Sequence, residues 1–156
     1  MKTVISKTHK VIIVIFALFL PGSCSLQQEV PGSSYGNNTV LIITGDDPDE
    51  AYRKMGQILA ERGFSIQNSD REMGSISTSP KPIGRGTQWE AQVNVVVSGS
   101  ESATIALSGS SRTNQEVRWV RIYDRESRLG HQQTGWTELY EIAKKYEGAE
   151  IAFETR

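Results

Sequence analysis

Cysteine and histidine are both scarce in this chain of 156 residues, which has one cysteine, Cys24, and two histidines. A single thiol cannot close an internal disulfide, so a folded domain must be held together by its core. Zinc sites built from cysteine and histidine need several such ligands, and only His131 lies beyond the first thirty residues. The composition therefore excludes a disulfide-stapled scaffold and a zinc centre of that type.

Long apolar runs are also missing. The longest, Val11–Leu20, has ten residues, whereas a helix that crosses a bilayer needs about 20. Three lysines precede this run, and the first acidic residue of the chain is Glu29. A basic start, a short apolar block and then small residues are typical of a bacterial secretory signal, which we predict over residues 1–23.

The only cysteine stands directly after this block. Gly22-Ser23-Cys24 resembles the end of a lipobox, the signal of bacterial lipoproteins, in which the cysteine becomes the acylated first residue after cleavage. Pro21 stands where an aliphatic residue is usual, so ordinary signal cleavage near Ser23 or Ser25 is the alternative. Several acyl chains, at about 0.8 kcal/mol per buried methylene, anchor a protein stably. The resemblance implies a membrane-anchored envelope protein, on the periplasmic side of the outer membrane.

Basic residues are not in excess, since 17 lysines and arginines stand against 18 acidic residues. Cleavage of the signal removes three lysines and leaves 14 against 18, a net charge of about −4. A domain that binds nucleic acid normally carries a basic surplus. The charge balance therefore argues against a nucleic-acid partner.

Residues 24–38 carry the lipid anchor and are rich in serine, glycine, asparagine and glutamine, which predicts a flexible tether. Residues 39–156 are predicted to form one domain, because about 118 residues supply a single hydrophobic core and not two. Thr39–Thr44 is an unbroken β-branched and aliphatic run, typical of a central strand. A helix capped by Asp47 follows it, and Gly63 comes directly after its end.

Two predicted hairpins follow this helix, because apolar and polar residues alternate in four stretches, Phe64–Gln67, Ser75–Ser79, Trp89–Val97 and Ala103–Leu107. An edge strand at Val117–Tyr123 and a last helix beginning at Thr134 or Gly135 complete the order, and a short extended tail ends the chain. Helices at both ends of an antiparallel meander predict an α+β fold with two layers. The sheet has four to six strands, and both helices pack on one face.

Residues with catalytic potential are few. Gly32–Gly36 matches the G-x-S-x-G pattern around a nucleophilic serine, Ser34, but no strand precedes it and no helix follows it in the polar tether. His131 follows Leu129-Gly130 in a polar stretch, which favours an exposed loop histidine. We predict no catalytic residue, no metal site and no cofactor. A small envelope hydrolase using Ser34 or His131, and a carrier of lipid or a small ligand, remain alternatives.

A segment rich in arginine and aromatic residues is the preferred candidate for a binding site. Arg118, Trp119, Arg121 and Tyr123 lie close together in it. These residue types dominate the energetics of protein interfaces. An edge strand protected by charge is the plainer interpretation of the same pattern. We predict that these four side chains contact a protein partner in the envelope.

One stretch of about 35 residues, from Asp46 to Ser79, resembles the repeated unit of a family of accessory lipoproteins that belong to the β-barrel assembly machine of the outer membrane. Those units have a helix that ends in glycine and a strand pair with a turn matched here by Asp70, Arg71 and Gly74. A second unit is missing from this chain. The resemblance implies a non-enzymatic adaptor on the periplasmic side of that membrane.

The acyl acceptor can be tested by replacing the single thiol. We expect Cys24→Ala to abolish metabolic labelling with a fatty acid and to release the protein from the membrane fraction, because no other cysteine can accept the lipid. Labelling and fractionation of cells that express the two forms measure this directly. Equal labelling of the variant would mean that Cys24 is not the acceptor.

Overall fold

The computed structural model of the protein describes residues 36–86, 88–124 and 130–156. The predictions for the signal, Cys24 and Ser34 lie outside these residues. In chain order, the described elements are β1 (Thr39–Thr44), α1 (Pro48–Glu61), β2 (Ile66–Asp70), β3 (Ser75–Thr78), β4 (Lys81–Ile83), β5 (Trp89–Gly99), β6 (Ala103–Thr113), β7 (Val120–Arg121), α2 (Gly130–Lys144) and β8 (Glu150–Glu154).

All eight strands belong to one antiparallel sheet. The main path runs β2-β3-β5-β6-β1-β8, while β4 pairs with β5 and β7 pairs with β6. The predicted α+β class is confirmed, as are the two predicted hairpins. The sheet has more strands than the four to six predicted, because β4 and β8 form from segments that were assigned to a loop and to a tail.

The core lies between one face of the sheet and the two helices. Along β5 and β6 successive side chains alternate between this buried face and an open face, as the pleat of a strand requires. Both helices place their apolar stripes on the buried face. The main buried side chains are Val40, Ile42, Met55, Leu59, Val93, Val95, Ile105, Leu107, Ile122, Trp136, Leu139 and Ile142. The other face of the sheet has no helix packed on it among the described residues.

The first helix begins and ends as its sequence predicts. The Glu50 backbone N–H donates to Asp47 Oδ1 at 2.9 Å, and Pro48 is the first helical residue. Gly63, just beyond the helix, has a φ of +77°, a conformation that residues with a Cβ rarely adopt. The turn between β2 and β3 also agrees with the sequence, since Asp70 Oδ1 accepts from the Met73 N–H at 2.9 Å.

The second helix begins earlier than predicted, at Gly130 and not at Thr134 or Gly135. Its first turn is stabilised by tertiary packing, because Gly130 lies so close to the Trp89 ring that a Cβ there would be 3.0 Å from it. The interpretation of His131 as an exposed loop residue is wrong: it is 3 % exposed and lies in this turn. The polar residues around His131 in the sequence gave no sign of its burial, because the residue that covers it, Ser111, belongs to β6, 20 positions earlier.

The beginning of the described chain is held in the fold. The Gly36 N–H donates to the Asp124 carbonyl at 2.9 Å, and the Asn38 N–H donates to the Glu154 carbonyl at 3.0 Å. Asn37 and Asn38 are both buried. The last three residues assigned to the tether, 36–38, are therefore bonded to the same sheet that the domain builds.

Two glycines make room for one isoleucine between the layers. Ile122 is fully buried and touches Gly109 of β6 and Gly135 of α2. A Cβ on Gly135 would lie 2.7 Å from Ile122 Cδ1, and a Cβ on Gly109 would lie 2.5 Å from the Gln92 carbonyl oxygen. The close approach of β6, Ile122 and α2 therefore depends on the absence of side chains at these two positions.

The glycine in β6 gives a test of this packing. We expect Gly109→Ala to lower the free energy of unfolding by about 1–3 kcal/mol, because the new methyl group overlaps a backbone carbonyl that cannot rotate away. Urea denaturation of both proteins measures the change. Gly45→Ala is the matched control, since a Cβ there has no neighbour within 4 Å. Equal stability of the Gly109 variant and the wild type would contradict this account.

Candidate functional site

The predicted contact residues lie along the edge of β6 and beyond its end. β7 pairs with β6 through Val120 and Arg121, which face Ser111 and Ser110. Ile122 points into the core, so its neighbour Arg121 lies on the open face of the sheet. Arg118 is exposed in the loop before β7, and Tyr123 is partly buried after it. The structure thus brings the predicted residues into one region, which we call the arginine-aromatic surface (Arg118, Trp119, Arg121 and Tyr123).

Trp119 is fixed in this region by a stacked cation. Its ring lies 4.5 Å from the guanidinium carbon of Arg112. Arg112 donates through Nε and Nη2 to Glu90 Oε2, at 2.9 and 2.8 Å. Stacking of a guanidinium on tryptophan is favourable when the cation is partly desolvated. The ion pair beneath therefore holds the indole against the open face of the sheet.

The role of Glu90 was not predicted, although the signal for it exists in the sequence. A tight turn joins Gly99 to Ala103, and the register counted outward from that pair places Glu90 opposite Arg112. The sequence shows only that both residues lie on the wet face. Once the two residues that pair at the turn are known, the register shows that Glu90 and Arg112 face each other and can form an ion pair.

Arg121 has a different partner. Its Nη1 donates to the Arg156 backbone carbonyl at 2.8 Å, which ties β7 to the end of the chain described after β8. Arg156 in turn donates through Nε to Glu154 at 2.7 Å. Part of the arginine-aromatic surface is thus held by structural contacts, while Arg118 forms no ion pair with any residue of the described ranges.

A second polar cluster lies at the other end of the sheet and was not predicted. Asp46 Oδ2 accepts from Lys54 Nζ and from the Tyr146 hydroxyl, both at 2.6 Å. The hydrogen bond from Lys54, followed by the one from Tyr146, lowers the pKa of Asp46. Burial, followed by the bond to Asp46, raises the pKa of Tyr146 to about 12. This cluster joins α1 to the segment after α2 across 100 residues of sequence.

An open cleft of about 270 Å³ adjoins this cluster. Its lining combines side chains of both charge signs with apolar groups: Lys54, Gln57, Ile58, Glu61, Lys145, Tyr146 and Glu147. Sites for small ligands usually enclose about 300–1,000 Å³ and are mainly apolar. The cleft therefore has the character of a surface groove between α1 and the end of α2.

A serine and a histidine meet in the core. Ser111 Oγ lies 3.0 Å from His131 Nδ1, a distance at which a histidine can activate a serine hydroxyl. Ser111 is 0 % exposed, however, and His131 is 3 % exposed. A substrate carbonyl has no access to the hydroxyl oxygen in this arrangement. The pair is best explained as two buried polar groups that satisfy each other.

Metal-ligating residues do not cluster in the described ranges, where no group of three or more histidine, cysteine, aspartate or glutamate side chains is arranged to hold an ion. None of the helices described is both long enough and apolar enough to span a membrane. No protein-family model matches the chain, and no curated protein matches its sequence. The arginine-aromatic surface and the Asp46 cluster thus remain the two regions with candidate roles.

The lowered pKa of Asp46 predicts a pH dependence. Its charged form contributes stability that is present above the unfolded pKa of 3.8 and is lost as the pH falls through the lower folded value. We expect Asp46→Asn to be less stable than the wild type at pH 7, and the difference to shrink between about pH 4 and pH 2. Thermal unfolding of both proteins across this range measures it.

Glu101→Gln is the control for this experiment, because Glu101 is exposed and forms no ion pair within the described residues. Its stability should follow that of the wild type at each pH. A stability difference for Asp46→Asn that stays constant down to pH 2 would contradict the assignment of this carboxylate.

Proposed function

We propose that the protein is a lipid-anchored binding or scaffolding domain of the bacterial envelope, acylated at Cys24 and without catalytic activity. The observation that carries the proposal is the open face of the sheet, on which Trp119 is stacked by the Arg112–Glu90 pair. A half-buried tryptophan fixed beside arginines has the composition of an interface centre. The proposed place is the periplasmic side of the outer membrane.

Apolar side chains on the same face support a binding role. The strand register sets Val96, Ala106, Leu41 and Ala152 side by side across four strands. Val96 is 47 % exposed, and Ile43 on the neighbouring row is 42 % exposed. A row of apolar groups on an uncovered sheet face favours contact with another molecule over a purely solvated surface.

The polar groups of the core support a non-enzymatic role. The Ser111–His131 pair is sealed under α2, and the Asp46 cluster joins helices instead of presenting a free nucleophile. An adaptor needs only a rigid binding surface and a fixed location in the cell. The sheet would supply the first and the proposed lipid the second. This agrees with the resemblance of residues 46–79 to accessory lipoproteins of the outer membrane.

Site-specific photocrosslinking in intact cells tests the proposal. We expect benzoylphenylalanine at residue 119 to give a discrete adduct, because this aromatic position is fixed on the open face. The same probe at residue 61, which is exposed at the end of α1, serves as the control and should give none. The adduct should disappear when Cys24→Ala releases the protein from the membrane. An adduct that persists without the anchor, or equal yields at both positions, would refute the proposal.

A further inference from the structure

We infer that the end of the domain nearest the tether docks on the anionic headgroups of the membrane that carries the lipid, with Val117, Arg118 and Arg85 at the contact. The inference rests on the proposed acylation of Cys24 and adds a membrane contact at the loop before β7, while Trp119 on the open face remains available to a protein partner. Four observations lead to it: the topology of the sheet, the length of the tether in the sequence, the charge distribution and one exposed loop.

Several strands begin or end at the same end of the sheet. The register pairs Trp89 with Thr113 and Ile83, so β5 begins where β6 and β4 end. Thr39 pairs with Glu154, so β1 begins and β8 ends toward the same end. We call this the tether end, because the Gly36 and Asn38 backbones are bonded beside it to Asp124 and Glu154.

The tether limits the distance of this end from the membrane. Twelve residue steps separate Cys24 from Gly36, and an extended chain covers about 3.3–3.6 Å per residue, or at most roughly 40 Å. β5 and β6 have eleven residues each, so at about 3.3 Å per residue they hold the opposite end roughly 35 Å further along the sheet. Short linkage raises the effective concentration of the tether end at the headgroups.

Charge is distributed unevenly between the two ends. The opposite end carries nine carboxylates: Asp46, Asp47, Asp49, Glu50, Asp70, Glu72, Glu101, Glu147 and Glu150. Five basic side chains accompany them: Arg53, Lys54, Arg71, Lys144 and Lys145. An anionic membrane repels this acidic end. The tethered domain is therefore biased to turn its acidic end away from the lipid.

The tether end is richer in arginine. Its described arginines are Arg85, Arg112, Arg118, Arg121 and Arg156, against the carboxylates Glu90, Glu116, Asp124 and Glu154. Arg112 and Arg156 are paired with carboxylates, whereas Arg85 and Arg118 form no ion pair with a described residue. Both of these guanidinium groups belong to exposed loops, where they can reach lipid phosphates.

The loop before β7 has the composition of an interfacial contact. Val117 is 91 % exposed, the most exposed of the large apolar side chains in the described ranges. Arg118 and Trp119 follow it directly. An apolar tip beside an exposed arginine suits the boundary between headgroups and acyl chains. A protein hot spot, by contrast, usually fills a pocket, and a single projecting valine does not form one.

The open face remains available in this orientation. Val96 and Ala106 lie toward the acidic end of β5 and β6, away from the membrane. A protein partner of the envelope can therefore bind the apolar row while the loop tip contacts lipid. The two surfaces are separate, so probes placed on each of them report on different contacts.

Vesicles that carry the acylated protein provide the test. Because acylation blocks Cys24, Val117→Cys introduces the sole free thiol, which is labelled with an environment-sensitive nitrobenzoxadiazole probe. We expect its emission to rise several-fold and to be quenched by nitroxide-labelled lipid in vesicles that contain phosphatidylglycerol, and to change little in pure phosphatidylcholine. Glu101→Cys, at the acidic end, is the matched control and should remain solvent-exposed in both.

Two exposed arginines determine how strongly the docking of the domain should depend on charge. Combined Arg85→Gln and Arg118→Gln substitutions should lower the ratio of docked to undocked domain roughly 25-fold, about fivefold for each charge. Raising the salt concentration should act in the same direction. Both side chains are exposed, so the variant should retain the fold of the parent.

The outcomes separate the inference from the proposed function. Flotation with the vesicles but equal, solvent-like emission from residues 117 and 101 overturns the docking and leaves the anchor intact. Failure to float overturns the anchor and the docking with it. A photocrosslinker at residue 117 that joins a protein instead of lipid in intact cells assigns the loop to a protein interface and also overturns the inference.

Discussion

The long β5–β6 hairpin determines how the rest of the molecule is arranged. Its eleven-residue strands alternate along most of their length, so one face is mainly apolar and must be covered while the other is largely left to solvent. Both helices pack on the apolar face, and β1 and β8 extend the same layer. The open face follows from this division of side chains, and the register of the strands sets which segments lie at the two ends of the sheet.

Contacts between distant segments then fix the layers in place. Ile122 fills the space that Gly109 and Gly135 leave, and Trp89 packs against Gly84 and Gly130 at the start of α2. Salt bridges from Glu138 of α2 to Arg62 and Lys81, at 2.7 and 3.0 Å, hold the end of α1 near β4. Most of these contacts join elements that are far apart in sequence. These contacts tie both helices to the sheet.

The two ends of the sheet differ in charge, and this difference determines the proposed orientation of the domain relative to the membrane. One end receives the tether and exposes a valine among arginines, and the other gathers carboxylates around the start of α1. A domain held by a short lipid-bearing tether has limited orientations, so an asymmetric charge distribution selects among them. In the proposed orientation, the uncovered face between the ends stands at an angle to the membrane and is open to the proposed protein partner.

Sequence alone determined the features that depend on neighbours along the chain. The Asp47 cap, the first helix, the glycine after it and the alternation along the β5–β6 hairpin were predictable, because capping and pleat act over a few residues. The alternation predicted from Phe64 to Gln67 is wrong, since β2 runs from Ile66 to Asp70 and is exposed throughout. The candidate residues Arg118, Trp119, Arg121 and Tyr123 were also chosen by residue type, and the structure places them in one region. Only the tertiary structure decided what depends on partners far away in the chain. His131 is buried because β6 lies against it, and β8 is a strand because β1 offers it an edge. The stacking of Trp119 on Arg112 and the bond between Tyr146 and Asp46 likewise require a register and a packing that no local pattern encodes. The distances between such groups are set by the assembled sheet, which is why the sequence could name the residues but not their contacts.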